Sequence, residues 1–437
     1  MTATFREALR FWVTLGFINF GGPAGQIALM HREIVERRRW IPEEQFLRAL
    51  NFCMILPGPE AQQLTIYIGW LMHGTPGGVV AGVFFVLPSV FVLLILSWLV
   101  AAHAQVPAVA GLLYGVQPVV IAVVVEAVLR IGRRALRHRA LYLFAGAAFV
   151  GIYFLSIPFP LIVAAAAMAG IALQRALPRV FSPAGQAVPP GHAAPDAHAA
   201  PAASHPGTAT YPPATRALRI AALFAALWAV PVAGLWLWKG AGDVLVKEAL
   251  FFTQAAFVTF GGAYAVLSYI ADVAVSHYHW LSAAQMVQGL ALAESTPGPL
   301  IMVTQYVGFL GAWNQPGALS PAIHGVLGAL ITTYVTFLFC FMFIFIGAPY
   351  VEALAGSHRV QAALTGVTSA VVGVILNLAV YFGARVLFPA EGALDPFALV
   401  LAVLSFVALQ RFRVPIHFGV AAGALIGMAW RLLGGSV

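Results

Sequence analysis

The sequence predicts an all-α polytopic membrane protein made of two inverted-topology repeats, with broken or re-entrant helices at their centres. Three observations carry that prediction. Of 437 residues, 61% are hydrophobic and only 9% charged, where a soluble domain carries roughly 25% charged residues. Several charge-free apolar runs reach the ~20 residues that cross a bilayer. Two motifs rich in glycine and proline, each set inside an apolar segment, occur twice in the same order.

The first repeat is expected over residues 1–177. Arg6 and Arg10 precede an apolar run that faintly imitates a signal peptide. That run lacks a small-residue cleavage site and carries a Phe-Gly-Gly motif, so it reads as mature protein. Residues 5–30 and 46–72 hold the two motifs, and 79–102 and 106–125 are clear spans. Residues 140–173 suffice for two crossings with a turn near Pro158. Residues 178–216, rich in Pro and Ala, bury too little to fold and are expected to be a disordered linker. His192, His198 and His205 lie within it without a metal-ligand pattern. Residues 217–239 form an unpaired transmembrane helix, and 240–437 the second repeat, with spans at 326–348 and 360–384.

The repeat is read by superposition. A shift of 240 positions places Phe17 on Phe257, Gly21-Gly22 on Gly261-Gly262, Trp40 on Trp280, and Pro57-Gly58-Pro59 on Pro297-Gly298-Pro299. A one-residue gap brings Tyr67 onto Tyr306, and further on the segment from Gly115 matches that from Gly366. Residues 326–348 hold no proline to answer Pro88, which leaves the match of those two helices open. Residues 31–48 carry five arginines and their partner segment 271–288 carries no Lys or Arg. Residues 130–139 carry five again, against Arg385 alone in 381–390. Basic loops stay cytoplasmic, so the repeats should lie in opposite orientations, with helix 217–239 supplying the odd crossing. Both Arg-rich loops reach one side if residues 5–30 and 46–72 are hairpins bent at their motifs, the form expected here.

A net charge of +8 marks cytoplasmic loops and contact with the lipid bilayer's anionic headgroups, and no nucleic-acid partner. Cys53 and Cys340 stand alone in apolar segments and read as inert thiols. No metal and no cofactor is expected.

The motifs carry the chemistry. Gly-Gly-Pro and Pro-Gly-Pro interrupt a helix, and proline suits the first turn of the next. Broken backbone at membrane depth survives only where protein buries it or it lines a wet cavity. New helices should start near Pro23, Pro59, Gly262 and Pro299. If those starts converge, four N-termini supply roughly two positive charges, which suits a tetrahedral dianion bound without Lys or Arg. The alternative is that the glycines serve only kinks and close packing.

The candidate binding residues are Asn19, Gly21, Gly22, Pro23 and Gln26; Pro57, Gly58, Pro59, Gln63 and Tyr67; Thr259, Gly261 and Gly262; and Ser295, Thr296, Pro297, Gly298, Pro299 and Tyr306. Thr296 could instead cap a helix. Glu60 and Glu294, carboxylates inside membrane segments, are candidates for proton coupling. They are not repeat partners, since they align with Leu300 and Met54. Glu126 and Arg130, four apart, read as a structural pair.

These residues resemble the chromate ion transporter family. "FINFGGPAGQ" from Phe17 and "LPGPEAQQLTIYIGW" from Leu56 look like signatures of its N-terminal domain. "TFGG" from Thr259 and "AESTPGPLIMVTQYVGF" from Ala293 look like those of its C-terminal domain. The length resembles the long-chain, two-domain branch. The resemblance implies a secondary transporter, not an enzyme, exporting chromate across the cytoplasmic (inner) membrane, with sulfate as a mimic and coupling to the proton gradient. Homodimerisation is left open. Two other readings stand beside it: a carrier or channel for sulfate or another anion, and an enzyme on a lipid-linked phosphate with Glu60 or Glu294 as general base. The enzyme would want a His or carboxylate partner there, and His31 and His73 lie outside the motifs.

Overall fold

The computed structural model describes residues 3–181, 213–351, 357–389 and 392–434. The first helix, α1 (Phe5–Ile18), starts where Thr4 and Glu7 form a capping box, which satisfies amides that a helix start otherwise leaves bare. It stops because Gly21 and Gly22 take φ of 94° and 67°. Chain direction then changes into α2 (Gly22–His31), a π-helical turn (Arg32–Arg37) and α3 (Glu43–Cys53). Pro57-Gly58-Pro59, with Gly58 at φ 122°, separates α3 from α4 (Glu60–His103). Helix α4 is two helices joined at His73–Gly74, where backbone angles leave the helical region. Then come α5 (Pro107–Ala135), α6 (Arg139–Tyr153), α7 (Phe159–Leu173) and a helical turn α8 (Pro178–Phe181). The predicted turn near Pro158 is there: Pro158 precedes the first residue of α7.

Helix α9 (Ala214–Lys239) follows, so the stretch expected as linker is helical at its two ends. Residues 182–212, with the three linker histidines, lie outside the described residues. Only Phe224 and Val232 of α9 are buried, as suits a peripheral helix facing lipid. The second repeat runs α10 (Val244–Val258), α11 (Ala263–Ala271), a π-helical turn (Asp272–His277) and α12 (Ala283–Ser295). A 3-10 turn (Leu300–Met302) then leads into α13 (Val303–Asn314), followed by α14 (Pro321–Gly347), α15 (His358–Leu387), α16 (Pro396–Arg411) and α17 (Ile416–Leu432). Among the described residues, five helices are long and apolar enough to cross a membrane: α4, α5, α9, α14 with its short extension, and α15. They contain the clear spans read from the sequence, except that α5 begins one residue inside the span expected from 106. The protein is an all-α polytopic membrane protein.

The backbone repeats as the sequence does. Among the described residues four non-glycine positions have positive φ, and they form two equivalent pairs: Arg39 with His279, and Ser156 with Arg413. Trp40 N–H donates to Ile34 O, and Trp280 N–H to Ala274 O, both at 2.8 Å.

Both motif segments fold back as hairpins. After α2 the chain returns to the flank of α1, where Trp40 meets Phe11 at 5.2 Å between ring centroids and the Arg38 guanidinium lies 4.9 Å over the same ring. His73, at the break in α4, contacts the Ala3 carbonyl at 3.0 Å. The outer ends of both hairpins therefore gather on one face. In the second repeat Trp280 meets Phe251 at 5.8 Å, and Asn314 donates to Trp280 O at 2.8 Å.

The two repeats run head to tail. A Cβ on Gly78 would lie 2.9 Å from Phe345, and one on Gly82 would lie 2.7 Å from Phe341. The second half of α4 and helix α14 are therefore antiparallel, and α14 starts at the end opposite to where that half of α4 starts. The open match of these helices closes here: Ser89 of α4 abuts Gly298, and Cys340 of α14 abuts Gly58. Pro88 has no counterpart because the contact with the other repeat's loop is made by its neighbour.

The outer helices exchange partners. Helix α5 packs on α16 and α17, while α15 packs on α6 and α7. Gly111 and Gly115 of α5 touch Gly427 and Gly423, and Ala362 and Gly366 of α15 touch Gly170 and Ala166. Reciprocal contact of this kind is what a two-fold relation requires. The seams are small-residue seams, as expected where dispersion and close backbone approach replace the hydrophobic effect.

Gly427→Ala tests the seam, because its methyl would run into the Gly111 carbonyl and the Gly115 backbone. Overpacking of this sort costs about 1–3 kcal/mol, so thermal unfolding in detergent should shift down by several degrees. Gly146→Ala, whose methyl would meet nothing within 4 Å, should leave the midpoint in place.

Candidate functional site

The tips of the hairpins meet in the centre and hold each other. Gly58 N–H donates to Thr259 O at 2.8 Å, and Gly298 N–H donates to Asn19 O at 3.3 Å. Asn19 is the repeat partner of Thr259 and Gly58 of Gly298, so each Pro-Gly-Pro loop is clamped by the other repeat's glycine motif. Side chains complete the clamp. Gln26 Nε2 donates to Asn19 O at 2.9 Å and Gly298 O at 2.6 Å. Gln63 Nε2 donates to Pro57 O at 2.6 Å, and the Ser89 hydroxyl donates to Pro297 O. Asn19 Nδ2 donates to Phe85 O at 3.2 Å.

Four helix starts surround one small cavity at this junction. Pro23 and Gln26 come from α2, Pro59, Glu60 and Ala61 from α4, Gly262 and Ala263 from α11, and Pro299, Leu300 and Ile301 from the turn that opens α13. The first-turn amides of such helices have no intrahelical partner, and the described lining contains no Lys or Arg. The cavity measures about 10 Å³, room for about one water.

Four of the six motif glycines fall into two kinds. A Cβ on Gly58 would meet Gln63 and Cys340 at 2.8 and 3.1 Å, and one on Gly298 would meet Ser89. Those two are required by packing, and their amides are already spent. A Cβ on Gly22 or Gly262 would meet nothing within 4 Å, yet φ there is 67° and 97°. Those two keep the backbone bare beside the cavity. Gly21 and Gly261 supply the preceding positive φ.

Of the other candidates, Ser295 and Thr296 donate their hydroxyls to Leu292 O and Ala293 O, at 3.1 and 3.3 Å. Thr259 donates likewise to Ala255 O at 2.6 Å. These hydroxyls cap their own helix ends. The Tyr306 hydroxyl and both polar atoms of Gln62 are buried without a hydrogen-bond partner. Tyr67 packs between Phe52 and Trp70. Glu60 lines the cavity. Glu294 is buried and accepts a hydrogen bond from the Tyr264 hydroxyl. His31 pairs with Glu36 and Glu43 and His73 with the Ala3 carbonyl, all at the outer ends of the hairpins. Neither serves as a catalytic partner to Glu60 or Glu294. Cys53 and Cys340 are buried and free.

A second, open cavity of about 420 Å³ lies beside the first glycine motif. Phe20 and Gly21 line it together with Glu126, Arg130, Arg413 and His417. The Glu126–Arg130 pair is present at 3.5 Å. Its pseudo-symmetric positions carry Asn377, Tyr381, Ser156 and Pro160, so the charge is confined to one side of the molecule. Arg413 and His417 escaped the sequence reading because their nearness to Gly21 depends on α17 packing against α5.

Known proteins place this arrangement. The family model described as Chromate transporter matches residues 6–171 and 246–428. The chromate transport protein of Cupriavidus metallidurans is 26% identical over 98% of this chain and 93% of its own length. The chromate transport protein of Pseudomonas aeruginosa is 32% identical over 85% of this chain and 78% of its own. A probable chromate transport protein of Synechococcus elongatus is 26% identical over 87% and 85%. No solved structure matches the chain. With both repeats matched, and with the two motif pairs joined in one clamp, the chain belongs to the chromate transporter family.

Proposed function

We propose that this protein exports chromate from the cytoplasm by opening its central cavity alternately to the two sides of the inner membrane, with the proton gradient adding to the driving force. The observation that carries this reading is the meeting of four helix N-termini on one cavity without a lining Lys or Arg. At about half a positive charge each, they match a dianion, and their amides are the donors an oxyanion accepts. The names of the relatives support chromate. Sulfate, of the same shape and charge, is expected to compete. A cavity of about 10 Å³ is too small for either ion, so the structure corresponds to a closed form and loading requires the repeats to part.

Direction follows from charge. The Arg-rich segments 31–48 and 130–139 come to one side when the second half of α4 crosses the membrane from the hairpins' outer ends and α5 crosses back. Basic loops favour the cytoplasm, and the cavity lined by Arg130 and Arg413 then faces that compartment. An interior-negative potential drives a dianion outward by about 4.6 kcal/mol per 100 mV, at 2.3 per charge.

Glu60 lines the site, and Glu294 stands three residues before Pro297 of the second Pro-Gly-Pro loop. An ionised Glu60 would repel a dianion in the same cavity, so Glu60 is the neutral acid while the anion is bound and does not itself carry the inward proton. Glu294, held by Tyr264 and within electrostatic reach of Arg130 and Glu126, is the other candidate for that proton.

Inverted vesicles should accumulate labelled chromate, less so with excess sulfate. Gly22→Ala and Gly262→Ala should each lower that uptake about tenfold or more while the protein still inserts; besides intruding on the amides, alanine at positive φ costs roughly 1–2 kcal/mol. Wild-type uptake by both would remove the helix-end site. In a background lacking Cys53 and Cys340, a cysteine replacing Arg38 should react with impermeant thiol reagents only from the cytoplasm, and one replacing Ser276 only from outside. Wild-type chromate binding should weaken as pH rises through the titration of Glu60. Glu60→Gln should bind with little change across the same range, measured by equilibrium dialysis.

A further inference from the structure

Outside the central site lies a buried acidic group that neither the motifs nor the anion cavity uses. Glu248, on the second turn of α10, is fully buried, and neither of its carboxylate oxygens has a hydrogen-bond partner. It is packed against bare backbone: a Cβ on Gly311 of α13 would lie 2.6 Å from Oε1, and one on Gly328 of α14 would lie 2.9 Å from Oε2. One turn before Gly328 stands His324, also fully buried. Its Nδ1 is 3.0 Å from the Ala312 carbonyl. A carbonyl only accepts, so Nδ1 carries the proton and Nε2 is left to take a second one. That Nε2 faces Asp243 Oδ1 at 3.5 Å, and Asp243 is partly exposed, at 15% of its side chain.

The repeat makes the cluster specific. His324 is the counterpart of His73, and each reaches the chain ahead of its repeat's first helix, His73 at the Ala3 carbonyl and His324 at the Asp243 side chain. In the first repeat those helix positions are Ala3 and Ala8; in the second they are Asp243 and Glu248. Asp243 also caps α10, accepting from the Leu245 N–H at 2.9 Å as Thr4 caps α1, whereas Glu248 stands where the first repeat has Ala8 and caps nothing.

We propose that Glu248, reached through Asp243 and His324, is the site that binds and releases the coupling proton; this rests on the reading of the protein as a proton-coupled chromate exporter. An ionised carboxylate with both oxygens desolvated and unpaired is strongly disfavoured, so this packing selects the protonated acid. Loss of the proton favours an arrangement in which α10 moves off α13 and α14 and lets water reach the carboxylate. Helix α10 ends eleven residues later at Thr259, roughly 16 Å away, where the Thr259 carbonyl holds Gly58. One rigid helix thus joins the proton to the central clamp, and either ligand shifts the same equilibrium.

The groups facing Glu248 are few. Asp243 lies at the head of its own helix and His324 on α14; α13 offers glycine. Lys247 is the adjacent charge on α10, and Tyr269 and Tyr278 pack around Phe251, one turn on. By head-to-tail symmetry the cluster lies on the face opposite the Arg-rich loops, the side from which protons enter.

The test uses the full chain in proteoliposomes. For one coupled proton, each unit of pH gradient changes steady-state chromate accumulation about tenfold. Glu248→Gln should lose that factor while chromate–chromate exchange without a gradient continues. His324→Asn should slow gradient-driven transport at least several-fold and spare exchange. A wild type indifferent to the gradient overturns the coupling reading itself. A responsive wild type with an equally responsive Glu248→Gln overturns this assignment alone. Independently of variant folding, the infrared spectrum of the wild type should show a protonated carboxylic acid at neutral pH that shifts in Glu248→Asp. Absence of that shift also overturns the assignment.

Discussion

Everything central in this protein depends on satisfying broken backbone at membrane depth. A helix interrupted inside the bilayer exposes amides and carbonyls that lipid cannot pair. Here the two interruptions of one repeat are paired with those of the other, Gly58 to Thr259 and Gly298 to Asn19. Gln26 and Gln63 reach carbonyls within their own repeat, but the Gly58 and Gly298 amides find their partners only in the other one, so the two fold together. The same pairing sets the four new helices around one cavity, because each clamp fixes where the following helix begins.

The seams between repeats extend this logic outward. Helix α5 reaches across to α16 and α17 as α15 reaches across to α6 and α7, along rows of glycine and alanine that let backbones touch. Alternating access needs such seams: rigid halves that are closely fitted yet held by few polar bonds can rock against each other around a fixed centre. The exceptions to symmetry are then the informative residues. Glu60, Arg130, Arg413 and Glu248 all lack a like-charged counterpart in the other repeat. A transporter with two identical faces would have no preferred direction, and these residues are where the faces differ.

Much of the fold was legible in the sequence, for a definite reason. Lipid removes alternatives, so apolar length dictates span and proline and glycine dictate breaks. The hairpin form was recoverable from arginines alone, since only that form brings both basic loops to one side. The helix starts at Pro23, Pro59, Gly262 and Pro299 were also recoverable, because backbone chemistry in such motifs is local. Glu248 was legible in principle, as a carboxylate in an apolar helix, but nothing in its neighbourhood marks it as unpaired.

Tertiary structure alone decided which polar groups are spent and which remain. Ser295, Thr296 and Thr259 look like anion donors in the sequence but cap their own helices. Gly58 and Gly22 look alike, yet one is buried against Cys340 and the other opens on free space. The nearness of Arg413 to Gly21 and of His324 to Asp243 arises between segments far apart in the chain. Hydrogen-bond partners and packing are pairwise facts about such segments, whereas hydropathy and helix breaks are properties of single ones; the first kind is written only in the folded molecule.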